Sequence, residues 1–556
     1  MDGRDLALSA RRAQGRRLAT LAALAALPLA VLCVFFVLPV AGMLRRGVVV
    51  DGHVDLGAVW DVLARPRTRR VVWFTAWSAA AGTAASLVLG IAAAHALYRL
   101  RTPGRAALRA ALTVPFVLPT VVVGIAFREV MGPAGPLAFL GLDGTPVAIL
   151  LALVFFNASV VMRGVGSAWQ SMDPRPAEAA AALGATPWRV LRTVTLPALG
   201  PAIASSATIV FLFCATAFGV VLTLGGLRYS TVETEIYLLT NNLLDLPAAA
   251  ALSIVQLMMV TTLLAVAGRS RRRVDVARVP PRPRGVRRGD APAVAATLVL
   301  AALVALPLVT LVRGALRVDG GYGLDNFRAL QTAGPGDALA VTATDALATS
   351  LRTAVDATWM ALLIGIPIAV AVTRTSRSAA ERRLRGALDG AFMLPLGVSA
   401  VTLGFGFLVT LDRPPLDLRD SPLLVPVAQA LVALPLVVRV LTPVLGGIDE
   451  HQRQAAASLG AGPLRVLATV DLPVVWRPLL VAAGFAMAVS LGEFGATSFL
   501  ARDDRPTLPV VVYQLISRPG AVNHGMALAA SVVLAAACAV VILAVERLRV
   551  PGMDAL

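Results

Sequence analysis

The sequence predicts an all-α polytopic membrane protein with about twelve transmembrane helices in two parallel six-helix repeats. Three observations lead there. Of the 556 residues, 57% are hydrophobic and only 15% are charged, against about 45–50% and 25% in soluble domains. The charges are confined to short intervals, and the apolar runs between them are long enough to cross ~30 Å of hydrocarbon as helices. Finally, one unusual pattern occurs twice, 276 residues apart: Glu178-Ala179-Ala180, Gly184, Val194 and Leu196-Pro197 recur in spacing as Gln454-Ala455-Ala456, Gly460, Val470 and Leu472-Pro473.

Apolar runs, punctuated by Pro, Gly and Arg, place the spans at 18–44, 69–98, 109–130, 146–170, 196–224 and 247–268 in the first half. The second half gives 291–316, 346–373, 387–411, 422–445, 473–500 and 524–545. The run at 18–44 is too long for the apolar region of a signal peptide and has no clear small-residue cleavage site, so it reads as an uncleaved first span. Orientation follows from arginine placement. The N-terminal tail, 99–109, 163–195, 269–288, 374–385, 439–477 and the C-terminal tail together hold 33 of the 50 basic residues. With twelve spans these segments share one side, which predicts a cell-membrane, multi-pass protein with both termini cytoplasmic. Segment 45–70 disagrees, placing six arginines outside.

The offset of 276 also relates Leu118-Pro119 to Leu394-Pro395, Arg163 to Arg439, Asp173 to Asp449, Phe218-Gly219 to Phe494-Gly495 and Tyr237 to Tyr513. Six spans per half make the repeats parallel, about an axis along the membrane normal. The predicted organisation is a first half at 1–268, a basic cytoplasmic linker at 269–290 and a second half at 291–556. From Gly268 to Asp290 the chain carries nine Arg and three Pro without apolar periodicity. It reads as a solvated tether, or simply as a positive-inside anchor.

Composition also excludes functions. The net charge of +18 does not indicate a nucleic-acid partner, because the arginines flank apolar spans instead of forming one face. All 50 basic residues are Arg. Without lysine there is no P-loop lysine, Schiff base or Ser-Lys dyad, so any ATP must be hydrolysed by a partner. Cys33, Cys214 and Cys538 lie far apart in apolar runs, and His53, His95, His451 and His524 lack ligand spacing. No metal site, catalytic group or bound cofactor is expected. A proton-coupled secondary transporter would need several ionisable groups inside the membrane, and Glu493 is nearly alone in the predicted spans.

The repeated pattern reads as an amphipathic helix at a membrane face, ending at Gly184 or Gly460, with a second short helix started by Pro187 in the first copy. One copy would be an ordinary interfacial helix. Two copies with identical spacing suit a two-fold partner. At these residues the sequence resembles the integral-membrane permeases of binding-protein-dependent ABC importers, whose signature E-A-A-x3-G-x9-I-x-L-P forms the coupling helix seated on the ATPase subunit. The first copy differs by Val194 for Ile, and the second by Gln454 for Glu and Val470 for Ile. Within that group the likeness is to fused thiamine permeases, with fused ferric-iron permeases next. It is carried by Val154-Phe155-Phe156-Asn157, Leu224-Gly225-Gly226, Thr231-Val232-Glu233, Ile236-Tyr237, Asp503-Asp504, Thr507-Leu508-Pro509 and Tyr513-Gln514.

The resemblance implies the type I ABC importer permease fold. It also implies two copies of an ABC ATPase subunit, an extracytoplasmic solute-binding protein, and ATP used only by the partner. The ATPase-coupling residues carried over are Glu178, Ala179, Ala180, Gly184, Gln454, Ala455, Ala456 and Gly460. Arg163 and Arg439 either snorkel or brace the coupling helices through Asp173 and Asp449. Glu493, with Phe494 and Phe218, is a pathway candidate: its carboxylate either attracts a cation such as thiamine or Fe(III), or packs a gate. Pro115, Pro119, Gly124, Pro395, Gly397, Gly404 and Gly406 suit kinked helices in spans three and nine.

Overall fold

The computed structural model describes residues 19 and 21–548, apart from 51–52, 227, 270–282, 319, 375, 377, 413 and 415. Most of the expected linker therefore lies outside the described residues.

The first half runs through α1 (Leu21–Val48) and α2 (Pro66–Arg99) to a broken pair, α3 (Arg105–Val117) and α4 (Thr120–Met131). Then follow α5 (Pro146–Ser171), the short polar α6 (Arg175–Ala182), α7 (Pro187–Ala215), α8 (Gly219–Gly225), α9 (Val232–Asn241) and α10 (Leu246–Arg269). The second half repeats the order. It comprises α11 (Arg288–Leu316), α12 (Ala343–Thr373), α13 (Ala379–Met393), α14 (Ala400–Thr410), α15 (Leu424–Gly447), α16 (Glu450–Ser458), α17 (Leu467–Gly492), α18 (Thr497–Leu500), α19 (Leu508–Ile516) and α20 (Ala521–Leu548). The first helix of each half leads into a two-residue antiparallel hairpin, at Val49–Val50 with His53–Val54 and at Arg317–Val318 with Gly321–Tyr322.

Among the described residues ten helices are long and apolar enough to cross a membrane, or eleven if the bent pair counts as one span. The third expected stretch of each half is present but broken, and so falls outside the ten. There the repeated Leu-Pro interrupts the helix, because proline offers no N–H and disfavours a helical residue before it. Leu118-Pro119 separates α3 from α4, which are bent by 110°. Leu394-Pro395 opens a 3₁₀ turn, Leu394–Gly397, between α13 and α14.

Spans five and eleven also end earlier than expected. α7 stops at Ala215 and α17 at Gly492. The repeated Phe-Gly, Phe218-Gly219 and Phe494-Gly495, falls at the break, so Glu493 sits where the helix ends and not within it.

The chain packs as two compact units that cut across the sequence halves. One holds Arg46–Thr349 with 501–539. In it α11, the opening helix of the second half, packs on α2 and α4, and α19 also packs on α4. Its core uses small residues to bring backbones together: Ala79, Ala93 and Ala94 of α2 and Ala148, Ala152 and Ala158 of α5 are all fully buried. Phe127 and Phe155 meet edge to face at 5.5 Å. The other unit holds the described residues up to Arg45, then Ser350–Leu500 and the end of α20. In it α15 packs on α17, α14 packs on α18, and Phe35 of α1 lies 6.1 Å from Phe407 of α14.

Candidate functional site

The two copies of the repeated pattern fold alike. Helix α6 ends with Gly184 at φ +84° and α16 with Gly460 at φ +83°. In each, the glycine N–H donates to the carbonyl three residues back, Ala181 or Ala457. The next N–H, of Ala185 or Ala461, donates to Ala180 or Ala456. This left-handed closing turn satisfies carbonyls that the helix end leaves open. Nothing lies within 4 Å of a Cβ built on either glycine, so the requirement is conformational and not steric. Just before each glycine a leucine projects from the surface: Leu183 and Leu459 are each 89% exposed. Glu178, Ala179, Gln454 and Ala455 are exposed, and Ala180 and Ala456 half-buried. Each of these two polar helices thus presents one bare leucine and a row of small side chains.

Beyond α6 and α16 the chain winds a five-residue π turn, Leu191–Thr195 in one half and Leu467–Asp471 in the other. No residue pattern in the sequence announces it. Asp173 and Asp449, expected to brace these segments through Arg163 and Arg439, act at the helix starts. Asp173 Oδ1 accepts from the Arg175 N–H at 3.0 Å, and Asp449 Oδ1 from the His451 N–H at 2.9 Å. The His451 N–H, then its ring, hold the Asp449 carboxyl below the usual carboxylate range. Arg163 and Arg439 are half-buried within α5 and α15.

An ion cluster in the second half escaped sequence reading. Arg453 of α16 is buried and donates through Nε to Asp471 Oδ1 at 2.8 Å, through Nη2 to the Leu445 carbonyl at 3.0 Å, and through Nη1 to Glu450 at 3.2 Å. Arg374, just past α12, donates to the other oxygen of Asp471 at 2.5 Å. The available signal was a broken repeat: at the matching positions of the first half stand Ala177, Thr195 and Tyr98.

Glu493 is buried, and its carboxylate caps the turn that follows it. Oε1 accepts from the Ala496 N–H at 2.7 Å, and Oε2 from the Thr497 N–H at 3.0 Å and from Thr497 Oγ1 at 2.5 Å. This geometry supports the packing alternative for Glu493. A Cβ on Gly404 of α14 would lie 2.8 Å from Ala496 Cα, so the capped turn rests on bare backbone. Phe494 is buried in the same unit. In the other unit, Phe218 lies 5.4 Å from the Tyr237 ring, which meets Tyr513 edge-on at 6.4 Å. Tyr237 and Tyr513 are each other's repeat counterparts.

Residues 86–276, spanning α5, α6 and α7, match the family described as binding-protein-dependent transport system inner membrane component. The thiamine transport system permease protein ThiP of Salmonella typhimurium is 30% identical over 480 residues, covering 82% of this chain and 85% of that protein. The chain belongs to the permease family of binding-protein-dependent ABC importers. The protein of the same name from Brucella abortus is 28% identical over 496 residues, covering 86% of this chain and 87% of the relative. A solved bacterial ABC transporter involved in import of the acidic polysaccharide alginate aligns over 47% of this chain and 98% of its own, at 18% identity and TM-score 0.41.

This permease is thus a multi-pass inner-membrane transport subunit and not an enzyme. It works with an ATPase and a solute-binding protein.

Proposed function

We propose that this permease imports thiamine or a thiamine phosphate by alternating access, receiving it from an extracytoplasmic binding protein. The observation that carries the cargo is the likeness to thiamine transport permeases, which spans more than four-fifths of the chain at 28–30% identity. Two ATPase copies dock on the cytoplasmic side, one on α6 and one on α16, where Leu183 and Leu459 enter the partner surfaces. ATP is bound and hydrolysed in those partners. Each coupling helix transmits ATPase closure through its glycine turn and π turn to the following span. Residues Glu178, Ala179, Ala180, Gly184, Gln454, Ala455, Ala456 and Gly460 form the contact.

In this reading both termini are cytoplasmic. The halves 1–268 and 291–556 act as the two permease domains, joined by 269–290. The motif spacing and the identical closing turns support equal docking sites, and the arginine distribution supports the orientation. The test is labelled-thiamine uptake by thiamine-requiring cells that lack their own importer, with the cognate ATPase and binding protein supplied. Native mass measurement of the purified complex reads the ATPase copy number, expected to be two per chain. Uptake no greater than in cells lacking the permease would contradict the cargo, and one ATPase per chain would contradict the paired docking.

A further inference from the structure

The exit of α2 and the entry of α11 are fastened together. Past Arg99 the backbone extends at Leu100, which forms an isolated parallel bridge with Arg284 at the end of the linker. The Arg284 N–H donates to the Arg99 carbonyl at 2.9 Å, and the Arg101 N–H to the Arg284 carbonyl at 2.8 Å. Arg101 Nε donates to the Pro283 carbonyl at 2.7 Å. A buried carboxylate locks the join. Asp290, at the start of α11, accepts from Arg284 Nη1 at 2.7 Å, from Arg284 Nη2 at 2.8 Å and from the Arg287 N–H at 2.8 Å. Its Oδ1 also lies 2.9 Å from Nε2 of His95, on α2. Residues 283–290 are thus strapped to the end of α2, and all of these groups belong to one compact unit.

The strap gathers charge of one sign. Segment 99–109 carries four arginines and 283–290 three more, against a single acid, Asp290, which Arg284 already neutralises. Two of the seven are turned back onto the protein: Arg109 lies over the Tyr98 ring at 4.7 Å, and Arg105 donates to the Leu100 carbonyl at 3.3 Å. Arg101, Arg287 and Arg288 are exposed, and among the described residues none of the three is in an ion pair. Between Arg284 and Arg287 stands an apolar side chain, Val286, 52% exposed.

Depth decides what meets this surface. One apolar span ends at Arg99 and another begins at Arg288, so the strap lies where hydrocarbon gives way to lipid headgroups. Guanidinium forks match phosphate oxygens in charge and in spacing. An exposed valine among them suits a layer that is anionic at its surface and oily just beneath, and a dissolved anion would have no use for it.

We infer that Arg101, Arg287 and Arg288 hold the phosphate of an anionic phospholipid, which bridges the exit of α2 to the entry of α11. The lipid steadies the join at which the second half of the chain begins. Neither the cargo nor the side of the membrane enters this inference, because it follows from span ends, charge and the strap alone.

The experiment uses the purified full-length permease in detergent, titrated with phosphatidylglycerol, with phosphatidylethanolamine and with soluble glycerol 3-phosphate. Native mass measurement reads bound adducts, and the unfolding midpoint reads stabilisation. Wild type is expected to retain phosphatidylglycerol and to unfold at a higher temperature with it, while the other two compounds do neither. An arginine at an anionic surface is worth about a factor of five in affinity. Arg287→Gln with Arg288→Gln should therefore weaken phosphatidylglycerol binding roughly 25-fold, leaving the lipid-free midpoint unchanged. The single Arg288→Gln, expected to lose about fivefold, carries the test if the double variant does not purify. Arg382→Gln with Arg383→Gln, an exposed pair outside the strap, should leave binding as in wild type. Undiminished binding by the strap variants overturns the site. So does an equal loss in the control pair, which would mean diffuse attraction to basic loops, and so does equal stabilisation by glycerol 3-phosphate, which would mean a site for soluble phosphate.

Discussion

Arg453 donates from Nε to Asp471 Oδ1 at 2.8 Å, both side chains buried, and so fastens α16 to the π turn that opens the following span. The first half has Ala177 and Thr195 at these places. The two halves therefore share a shape but not the means of holding it.

Removing one partner of a buried ion pair strands the other, a loss of about 3–5 kcal/mol. Asp471→Asn leaves Arg453 and Arg374 without their shared anion. It should lower the unfolding midpoint of the purified protein clearly and weaken ATPase copurification. Thr195→Ala, at the matching place, should cost no more than about 1 kcal/mol. Equal effects of the two substitutions would contradict the asymmetry.

The glycine turns give a second expectation. A β-branched residue at a left-handed φ costs roughly 1–3 kcal/mol, and open space around Gly184 and Gly460 means that no clash adds to it. Gly184→Val and Gly460→Val should therefore leave membrane insertion intact while reducing uptake and uncoupling it from ATP hydrolysis. Unchanged uptake and ATPase association in both variants would remove α6 and α16 from the coupling path.

Glu493 should behave as a structural cap. Glutamine offers one acceptor where the carboxylate offers two, so Glu493→Gln leaves at least one buried N–H unpaired, at about 1–3 kcal/mol. Gly404→Ala presses a methyl onto the same turn and should cost a similar ~1–3 kcal/mol. Both variants are expected to lower thermal stability and maximal uptake without changing the half-saturating thiamine concentration. A selective rise in that concentration for Glu493→Gln would return Glu493 to the transport pathway.

Much of this was legible in the sequence, for identifiable reasons. Helical spans and the two short polar helices ending at Gly184 and Gly460 follow from apolar run length and from glycine spacing, which are local properties of the chain. The 276-residue repeat gave Tyr237 and Tyr513 as equivalents but not that they touch, because contact depends on how distant helices pack. Pro115 and Pro119 announced a kink in span three, though not a 110° break, while the break beside Phe494-Gly495 was hidden within an unbroken apolar run: hydropathy registers burial in lipid, not continuity of the helix. The Arg453–Asp471–Arg374 cluster joins residues up to 97 positions apart, a proximity set by packing and not by local sequence.

Orientation is tested by accessibility. In a background with Cys33, Cys214 and Cys538 replaced, Gly285→Cys and Gly386→Cys should react with a membrane-impermeant maleimide only in inside-out vesicles. Gly141→Cys, in the loop between α4 and α5, should react only in intact cells stripped of their outer barrier. Labelling of position 285 from outside would invert the proposed topology.

The central claim is that this chain carries thiamine inward under the control of an ATPase seated on α6 and α16. The most direct measurement is accumulation of labelled thiamine in proteoliposomes that contain the permease and its ATPase, with the binding protein outside and ferric iron offered in parallel. Thiamine should accumulate only when ATP and the binding protein are both present, and should not accumulate in response to a proton gradient alone. Accumulation driven by the gradient without the ATPase, or accumulation of iron and not thiamine by the intact complex, would contradict it.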